Sequence, residues 1–143
     1  MEPGHFAGKS GGNNLNELAS GPGLIRRAKH SIAAGEPSSL ATLPDFNTHE
    51  LFAAVAQGDA LATSILEDGR NAIAGLLTTV LFALAPHSIV LAGGLCTQNE
   101  WFVDPVRDRV REWMPIPELA RVPIERAALW DKAVLYGAAE LVS

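Results

Sequence analysis

The feature that most constrains the fold is a long apolar segment at helical spacing, which begins after Asp59 and ends before Pro86. Its apolar residues recur three or four positions apart, at Leu61, Ile65, Ala72, Ile73, Leu76, Leu77, Val80, Leu81 and Leu84. This spacing predicts one long α-helix. The second half is apolar on nearly every face, which is typical of a helix at the centre of a domain. The most apolar stretch, residues 72–85, is too short to span a bilayer, so no membrane role is expected.

Shorter helices are predicted ahead of this segment. Leu15 to Ala19 fits a single helical turn, and Ser20 is placed to cap a second helix that stops at Gly35. Asn47 followed by Glu50 has the spacing of a capping box, which predicts the start of a further helix.

The segment after the long helix alternates between strand and helix patterns. Ser88 to Ala92 and Arg121 to Ala127 are the predicted strands, the first of them buried between a proline and a glycine pair. Asp104 and Pro105 are expected to open the helix between them, and Lys132 to Val142 is predicted as a last helix. This β-α-β-α order predicts parallel strands joined by a right-handed crossover.

The helix predicted from Asp104 is expected to bury a stripe formed by Val106, Val110, Trp113 and Met114. The two predicted strands cannot form a stable sheet by themselves. Further strands would have to come from residues interpreted as loop, from a partner chain, or from a longer parent protein.

The composition argues against several kinds of function. The net charge is −5, with 11 basic and 16 acidic residues and no basic cluster, so nucleic-acid binding by this chain is not expected. Cys96 is the single cysteine, which excludes an internal disulfide and a zinc site built from several cysteines. No signal peptide is evident, and the cytoplasm is the expected location.

Candidates for chemistry occur at both ends of the sequence. Gly93 and Gly94 follow the first predicted strand, where a ligand can approach the backbone, although a tight turn would use the same pair. Glu2 and His5 can converge on one ligand hydroxyl, and Glu17 offers a second carboxylate. The alternative for each of these side chains is a solvated surface residue.

Several short motifs occur in the order and spacing of one protein family. They are E-x-G-H (Glu2–His5), L-x-E-x-A-S-G-P (Leu15–Pro22), the segment Ala54–Ala62 with its Gly-Asp pair, I-V-L-A-G-G (Ile89–Gly94), D-P-V-R (Asp104–Arg107) and Y-G-A-A (Tyr136–Ala139). Each motif is short, but their combination is much more specific than any one of them. Over essentially its whole length the chain resembles the ROK (repressor, open reading frame, kinase) family.

The resemblance implies a fold and a site. The family fold is that of the actin-like, ribonuclease-H-like ATPases, so this chain is expected to be a helix-rich partial α/β lobe with a C-terminal β-α-β-α unit. Glu2, His5 and Glu17 match family residues that hold sugar hydroxyls, while Gly93 and Gly94 match glycines that lie against the nucleotide. ATP and Mg²⁺ serve the intact family, and no cofactor is expected for this chain by itself.

Departures from the family limit what the chain is expected to do. Many members carry a cysteine-rich zinc loop after E-x-G-H, whereas residues 6–16 contain no cysteine, so no zinc is predicted. The family's D-x-G-x-T phosphate-binding segment and its catalytic aspartate are absent from the sequence, so no catalytic residue is assigned. Asp59, Asp104 and Asp131 are better explained as helix caps than as a replacement base.

These features give a leading hypothesis and two alternatives. The chain is expected to be the C-terminal portion or a truncated homologue of a kinase that phosphorylates a hexose or N-acetylhexosamine with ATP, and to be inactive alone. The alternatives are the sugar-sensing domain of a ROK repressor without its DNA-binding part, and a non-catalytic scaffold.

The expected organisation is one incomplete lobe, with a sugar-site loop (1–17), a helical region (18–85) and a nucleotide-side unit (86–143). A lobe without its leading strands exposes a sheet edge and apolar helix faces. A homo-oligomer is therefore also expected.

Overall fold

The computed structural model describes residues 14–98 and 100–128. The chain divides into two compact units, one up to Thr79 and one from Val80. The predicted sugar residues Glu2 and His5 lie outside the described residues, as does the predicted helix at 132–142 with its cap Asp131.

The first unit is helical, and the predicted caps Ser20, Asn47 and Asp59 lie at helix starts. It contains α1 (Leu15–Ala19), α2 (Gly21–Ala33), a 3₁₀ helix (Ser39–Thr42), α3 (Thr48–Ala56) and most of α4 (Ala60–Leu84). Ser20 caps α2 by accepting a hydrogen bond from the amide of Gly23 at 3.1 Å. Asn47 and Glu50 form the predicted capping box of α3. The predictions for α1, α2, α3 and α4 are confirmed, whereas the 3₁₀ helix was not predicted.

Close backbone contacts determine how α1 packs against α2 and α4. A Cβ added to Gly23 of α2 would lie 2.5 Å from the carbonyl oxygen of Asn16 in α1. A Cβ added to Gly69 of α4 would lie 2.7 Å from the carbonyl oxygen of Leu18. Both distances are far below van der Waals contact, so the packing of these helices requires glycine at both positions.

Charged side chains also join elements of the first unit. Arg27 of α2 is only 6% exposed and forms an ion pair with Asp68 of α4 at 2.5 Å. Asp59 caps α4, as predicted, and also accepts hydrogen bonds from Ser38 and Ser39 beside the 3₁₀ helix. Each of these partly or fully buried charges therefore has a partner, which buried charges need to be tolerated.

The second unit contains a small parallel sheet. β1 (Ile89–Leu91) pairs in parallel with β2 (Ile124–Arg126), and Ile89 lies opposite Ile124. The segment between the strands forms α5 (Gly94–Gln98), α6 (Glu100–Trp113) and α7 (Pro117–Ala120). The predicted parallel strands and the helix-rich α/β class are confirmed, whereas α5 and α7 were not predicted.

The predicted start of α6 was wrong. The helix begins at Glu100, so Pro105 lies inside it and Asp104 pairs with Arg107 at 2.6 Å instead of capping. The earlier start places Phe102 in the helix, where it is fully buried. Burying a phenylalanine side chain is worth roughly 2 kcal/mol, which helps to offset the hydrogen bond that a proline cannot donate.

Two predictions of burial in the second unit were also wrong. Val90, the middle residue of β1, is 58% exposed, although the strand was expected to be buried. Successive side chains of a strand lie on opposite faces, and β1 is partly covered on the face of Ile89 and Leu91 only. Trp113 is 42% exposed at the end of α6, whereas the other residues of its predicted stripe, Val106, Val110 and Met114, are buried.

The long helix α4 has the predicted length but is not buried on all faces. Ala72, Ile73 and Leu77 are buried, while Phe82 and Leu84 in the last turn are 49% and 72% exposed. No helix within residues 14–98 and 100–128 combines the length and apolarity needed to cross a membrane.

Candidate functional site

Glu17, one of the predicted sugar residues, is held at the junction of α1 and α2. Its amide donates a hydrogen bond to the side chain of Asn14, the cap of α1, at 2.8 Å. One carboxylate oxygen accepts a hydrogen bond from Nε of Arg26 at 3.0 Å, and the other accepts from a terminal nitrogen of the same guanidinium. A two-point contact between arginine and a carboxylate fixes the orientation of both groups.

Arg26 also affects the ionisation of Glu17. Its hydrogen bond to the carboxylate lowers the pKa of Glu17 below the ordinary value, against an opposing effect of burial. Glu17 is therefore ionised at neutral pH and acts only as a hydrogen-bond acceptor. Its side chain is 28% exposed, and a carboxylate has more acceptor positions than Arg26 uses. The group can therefore accept a hydrogen bond from a ligand hydroxyl while it stays paired.

The glycine pair Gly93-Gly94 lies beyond the carboxyl end of β1, separated from the strand by Ala92. Gly93 has a φ of 115°, a conformation that glycine adopts readily and other residues rarely do. Its carbonyl oxygen accepts a hydrogen bond from the amide of Cys96 at 3.1 Å, and Gly94 begins α5. The turn therefore occupies the edge of the sheet at which parallel α/β proteins bind ligands.

The space around this pair differs from that around the packing glycines of the first unit. Within the described part of the chain, no heavy atom lies within 4 Å of a Cβ built on Gly93 or Gly94. Gly94 also has no positive φ, so neither the packing nor the backbone conformation requires glycine there. Open space beside the backbone at this edge is what the close approach of a ligand needs.

The described cysteine and histidine side chains do not form a catalytic or metal-binding site. Cys96 is 7% exposed, and burial raises the pKa of its thiol, so the thiol stays protonated at neutral pH and is a poor nucleophile. The histidines His30, His49 and His87 are all exposed. No group of three His, Cys, Asp or Glu residues within 14–98 and 100–128 is arranged to hold a metal ion.

Three of the five predicted site residues lie within the described part of the chain. Gly93 and Gly94 form one turn in the second unit, while Glu17 lies in the first unit. The convergence of Glu17 with Glu2 and His5 stays a prediction, because the latter two lie outside the described residues. Arg26, the partner of Glu17, was missed, since its pairing across two helices has no periodic signal in the sequence.

The fold defines the class to which the protein belongs. A helix-rich α/β arrangement with a small parallel sheet is shared with sugar kinases of known structure. A family model described as "ROK family" matches residues 8–143, almost the whole chain. The chain belongs to the ROK family. A search among curated proteins finds no match.

Solved structures similar to this chain include both kinases and a regulator. A candidate sugar kinase from Cytophaga hutchinsonii is 27% identical with a TM-score of 0.73, over 99% of this chain and 48% of its own. A glucokinase from Streptomyces griseus, in complex with glucose and AMPPNP, is 25% identical with a TM-score of 0.68, over 99% and 48%. A ROK transcriptional regulator, a homologue of the MLC protein of E. coli, is 24% identical with a TM-score of 0.72, over 97% and 35%.

At 24% identity the regulator shares the fold alone with this chain. The chain spans about half the length, or less, of each of these proteins.

Proposed function

We propose that this chain is the sugar- and nucleotide-binding C-terminal portion of a ROK-family sugar kinase. In the proposed site, Glu2, His5 and Glu17 hold the hydroxyls of a hexose or N-acetylhexosamine. Gly93 and Gly94 lie against the nucleotide, which is ATP with Mg²⁺ in the complete kinase. None of these residues is a base for the sugar hydroxyl, so the 143-residue chain is expected to bind substrates without transferring phosphate.

The observation that carries the nucleotide half of the proposal is the open space at Gly94. Ordering a glycine on folding costs more backbone conformational entropy than ordering any other residue. Neither contacts with the described residues nor the backbone conformation requires glycine at position 94. A ligand that lies against the backbone would explain it. The similarity to a glucokinase crystallised with AMPPNP supports a nucleotide as that ligand.

The sugar half of the proposal is supported by the state of Glu17. Arg26 keeps the carboxylate ionised and fixed in orientation, while more than a quarter of the side chain remains accessible. A preorganised acceptor of this kind suits a sugar hydroxyl, which must donate its proton in a defined direction. Among the similar structures, one glucokinase contains glucose.

The second candidate function is the sugar-sensing part of a ROK transcriptional regulator. Its support is the regulator of similar fold, which matches 97% of this chain with a TM-score of 0.72. A sensor needs the sugar residues but does not need a nucleotide at Gly93 and Gly94. Nucleotide binding therefore separates the two functions.

Calorimetric titration of the chain with AMPPNP, glucose, N-acetylglucosamine and N-acetylmannosamine tests the proposal. The kinase proposal predicts binding of AMPPNP and of at least one sugar. Gly94→Val should weaken AMPPNP binding by at least about tenfold, or about 1.4 kcal/mol, because its side chain fills the space proposed for the ligand. Ala33→Val, which adds bulk at an exposed helical position, is the matched control and should change nothing.

Each result of the titration has a distinct meaning. Binding of a sugar without AMPPNP would favour the sensor over the kinase. Absence of binding to all three sugars at millimolar concentration would remove Glu2, His5 and Glu17 as sugar residues. AMPPNP binding that Gly94→Val leaves unchanged would remove the glycine pair from the nucleotide site.

A further inference from the structure

The second unit contains a cleft that is lined by none of the residues proposed to bind the sugar or the nucleotide. It has a volume of about 680 Å³ and lies among α6, α7 and the residues that lead into β2. Its lining includes three arginines, Arg107, Arg111 and Arg121, together with the buried side chains of Met114 and Ile124. A volume of this size is within the range of pockets that bind small molecules.

The cleft lies at the opposite end of the sheet from the glycine pair. Ile124, which lines it, is the first residue of β2, whereas Gly93 follows the last residue of β1. Because β1 and β2 are parallel, the start of one strand and the end of the other lie at opposite edges. The cleft is therefore separate from the position proposed for the nucleotide.

The first two arginines are held in place by neighbouring groups. Nε of Arg107 donates a hydrogen bond to the carbonyl oxygen of Ile124 at 2.7 Å, and a terminal nitrogen donates to Asp104 at 2.6 Å. Arg111 donates to Asp108 at 2.9 Å, an exposed pair that salt and water weaken. Arg107 is thus fixed in orientation, while its second terminal nitrogen has no partner among residues 14–98 and 100–128.

Arg121 differs from the other two arginines. Its side chain is exposed and forms no ion pair or hydrogen bond with the described residues. Glu125 is an acidic residue that lines the same cleft. Arg107 and Arg111 each have an aspartate partner, so Arg121 is the arginine of this cleft whose positive charge no described carboxylate neutralises in an ion pair.

We propose that this cleft binds the phosphate group of a small phosphate monoester. A dianionic phosphate offers several acceptor oxygens to the fork of Arg121 and to the N–H groups that Arg107 and Arg111 do not use in their other contacts, and arginine favours such pairing with phosphate. Met114 and Ile124 provide an apolar wall for the body of the ligand, and Glu125 can accept a hydrogen bond from a ligand hydroxyl. This proposal does not depend on the kinase activity, because it uses none of the residues assigned to the sugar or the nucleotide.

A nuclear magnetic resonance titration of the chain with glucose 6-phosphate, inorganic phosphate and glucose tests the proposal. Glucose 6-phosphate should cause saturable shifts of the Nε–H signals of Arg107, Arg111 and Arg121 and of the amides of Val122, Ile124 and Glu125. Inorganic phosphate should cause the same shifts at higher concentration, and glucose should not cause them. The amides of Gly93 and Gly94 should move much less.

Charge variants distinguish a specific phosphate-binding site from nonspecific electrostatic attraction between the phosphate and the chain. Arg121→Ala should weaken glucose 6-phosphate binding by at least about fivefold, and Arg121→Lys by less, because lysine keeps the charge but loses the fork. Lys29→Ala removes one cation from the first unit and is the matched control, with binding unchanged.

The proposal is overturned if no saturable shifts occur or if Lys29→Ala weakens binding as much as Arg121→Ala. It is also overturned if the shifts map to Gly93 and Gly94 instead of the cleft. Circular dichroism of each variant shows whether it is folded, and binding lost through unfolding is distinguished by repeating the titration with Arg111→Ala.

Discussion

At the scale of single residues, Asp59 shows how a short polar motif can stabilise a helix start. Partial burial raises the pKa of Asp59, but hydrogen bonds from Ala62, Ser39 and Ser38 outweigh this effect and lower the pKa to about 2. The same carboxylate thus caps α4 and ties the 3₁₀ helix to it. The Gly-Asp pair at positions 58 and 59, part of the family resemblance, therefore has a structural role.

Asp59→Ala is predicted to lower the free energy of unfolding by about 1–2 kcal/mol, because alanine can accept neither the capping hydrogen bond nor those from Ser38 and Ser39. Because the folded pKa is depressed, the stabilisation is fully present above the ordinary pKa and is lost as the pH falls towards about 2. The difference between wild type and variant in urea unfolding should therefore be largest at neutral pH and shrink in acid. Asp45→Ala is the matched control, and it should have a much smaller effect because the side chain of Asp45 is 82% exposed.

The residue scale also shows which contacts a sequence can predict. Asn47 and Glu50 are three positions apart, so their capping box is a local pattern and was predicted. Arg26 and Glu17 lie in different helices, and their pairing depends on how α1 and α2 pack. Such a partner is found only once the packing is known.

At the scale of elements, the junction of α1 and α2 is the most constrained part of the first unit. Ser20 ends α1 and caps α2, and its hydroxyl donates to the carbonyl of Asn16 at 2.5 Å. Gly23 then allows α2 to pass against the backbone of α1 without a side chain between them. The L-x-E-x-A-S-G-P motif thus builds the corner that positions Glu17.

Gly23→Ala is predicted to lower the free energy of unfolding by roughly 3 kcal/mol, because the added Cβ would overlap two backbone carbonyl oxygens that cannot move independently. Thermal unfolding measures the loss. Gly94→Ala, which meets no described atom within 4 Å, is the matched control and should leave stability unchanged or slightly raised. Equal losses in both variants would contradict the packing described for α1 and α2.

In the second unit, local sequence patterns predicted neither the start of α6 nor the exposure of β1. Asp104-Pro105 is a good pattern for a helix start, yet burial of Phe102 and Val103 extends the helix back to Glu100. The exposure of Val90 could not be predicted either, because an apolar run is the same in sequence whether one or both faces of the strand are covered.

At the scale of the whole molecule, family membership was predictable and the arginine cleft was not. Several motifs in order were enough to indicate the ROK family, which the family model confirms over residues 8–143. The cleft gathers residues from α6, α7 and β2 whose spacing carries no pattern. Its existence follows from the packing of these elements alone.

Self-association is predicted at the same scale. Phe82, Leu84 and Val90 in the second unit are large apolar side chains with 49%, 72% and 58% exposure, and such surfaces favour a second copy of the chain. Light scattering should give a mass at least twice 15.2 kDa, and Val90→Lys with Leu84→Lys should shift it towards the monomer. Leu43→Lys, at a 40% exposed position of the first unit, is the control, and a wild-type monomer would contradict the prediction.

The most direct test of the proposed site is a crystal structure of the chain with glucose and AMPPNP. We expect a glucose hydroxyl within hydrogen-bond distance of the Glu17 carboxylate, with that carboxylate still paired with Arg26, and AMPPNP against the backbone of Gly93 and Gly94. Glucose bound away from Glu17, or AMPPNP bound with the glycine pair still open to solvent, would contradict it.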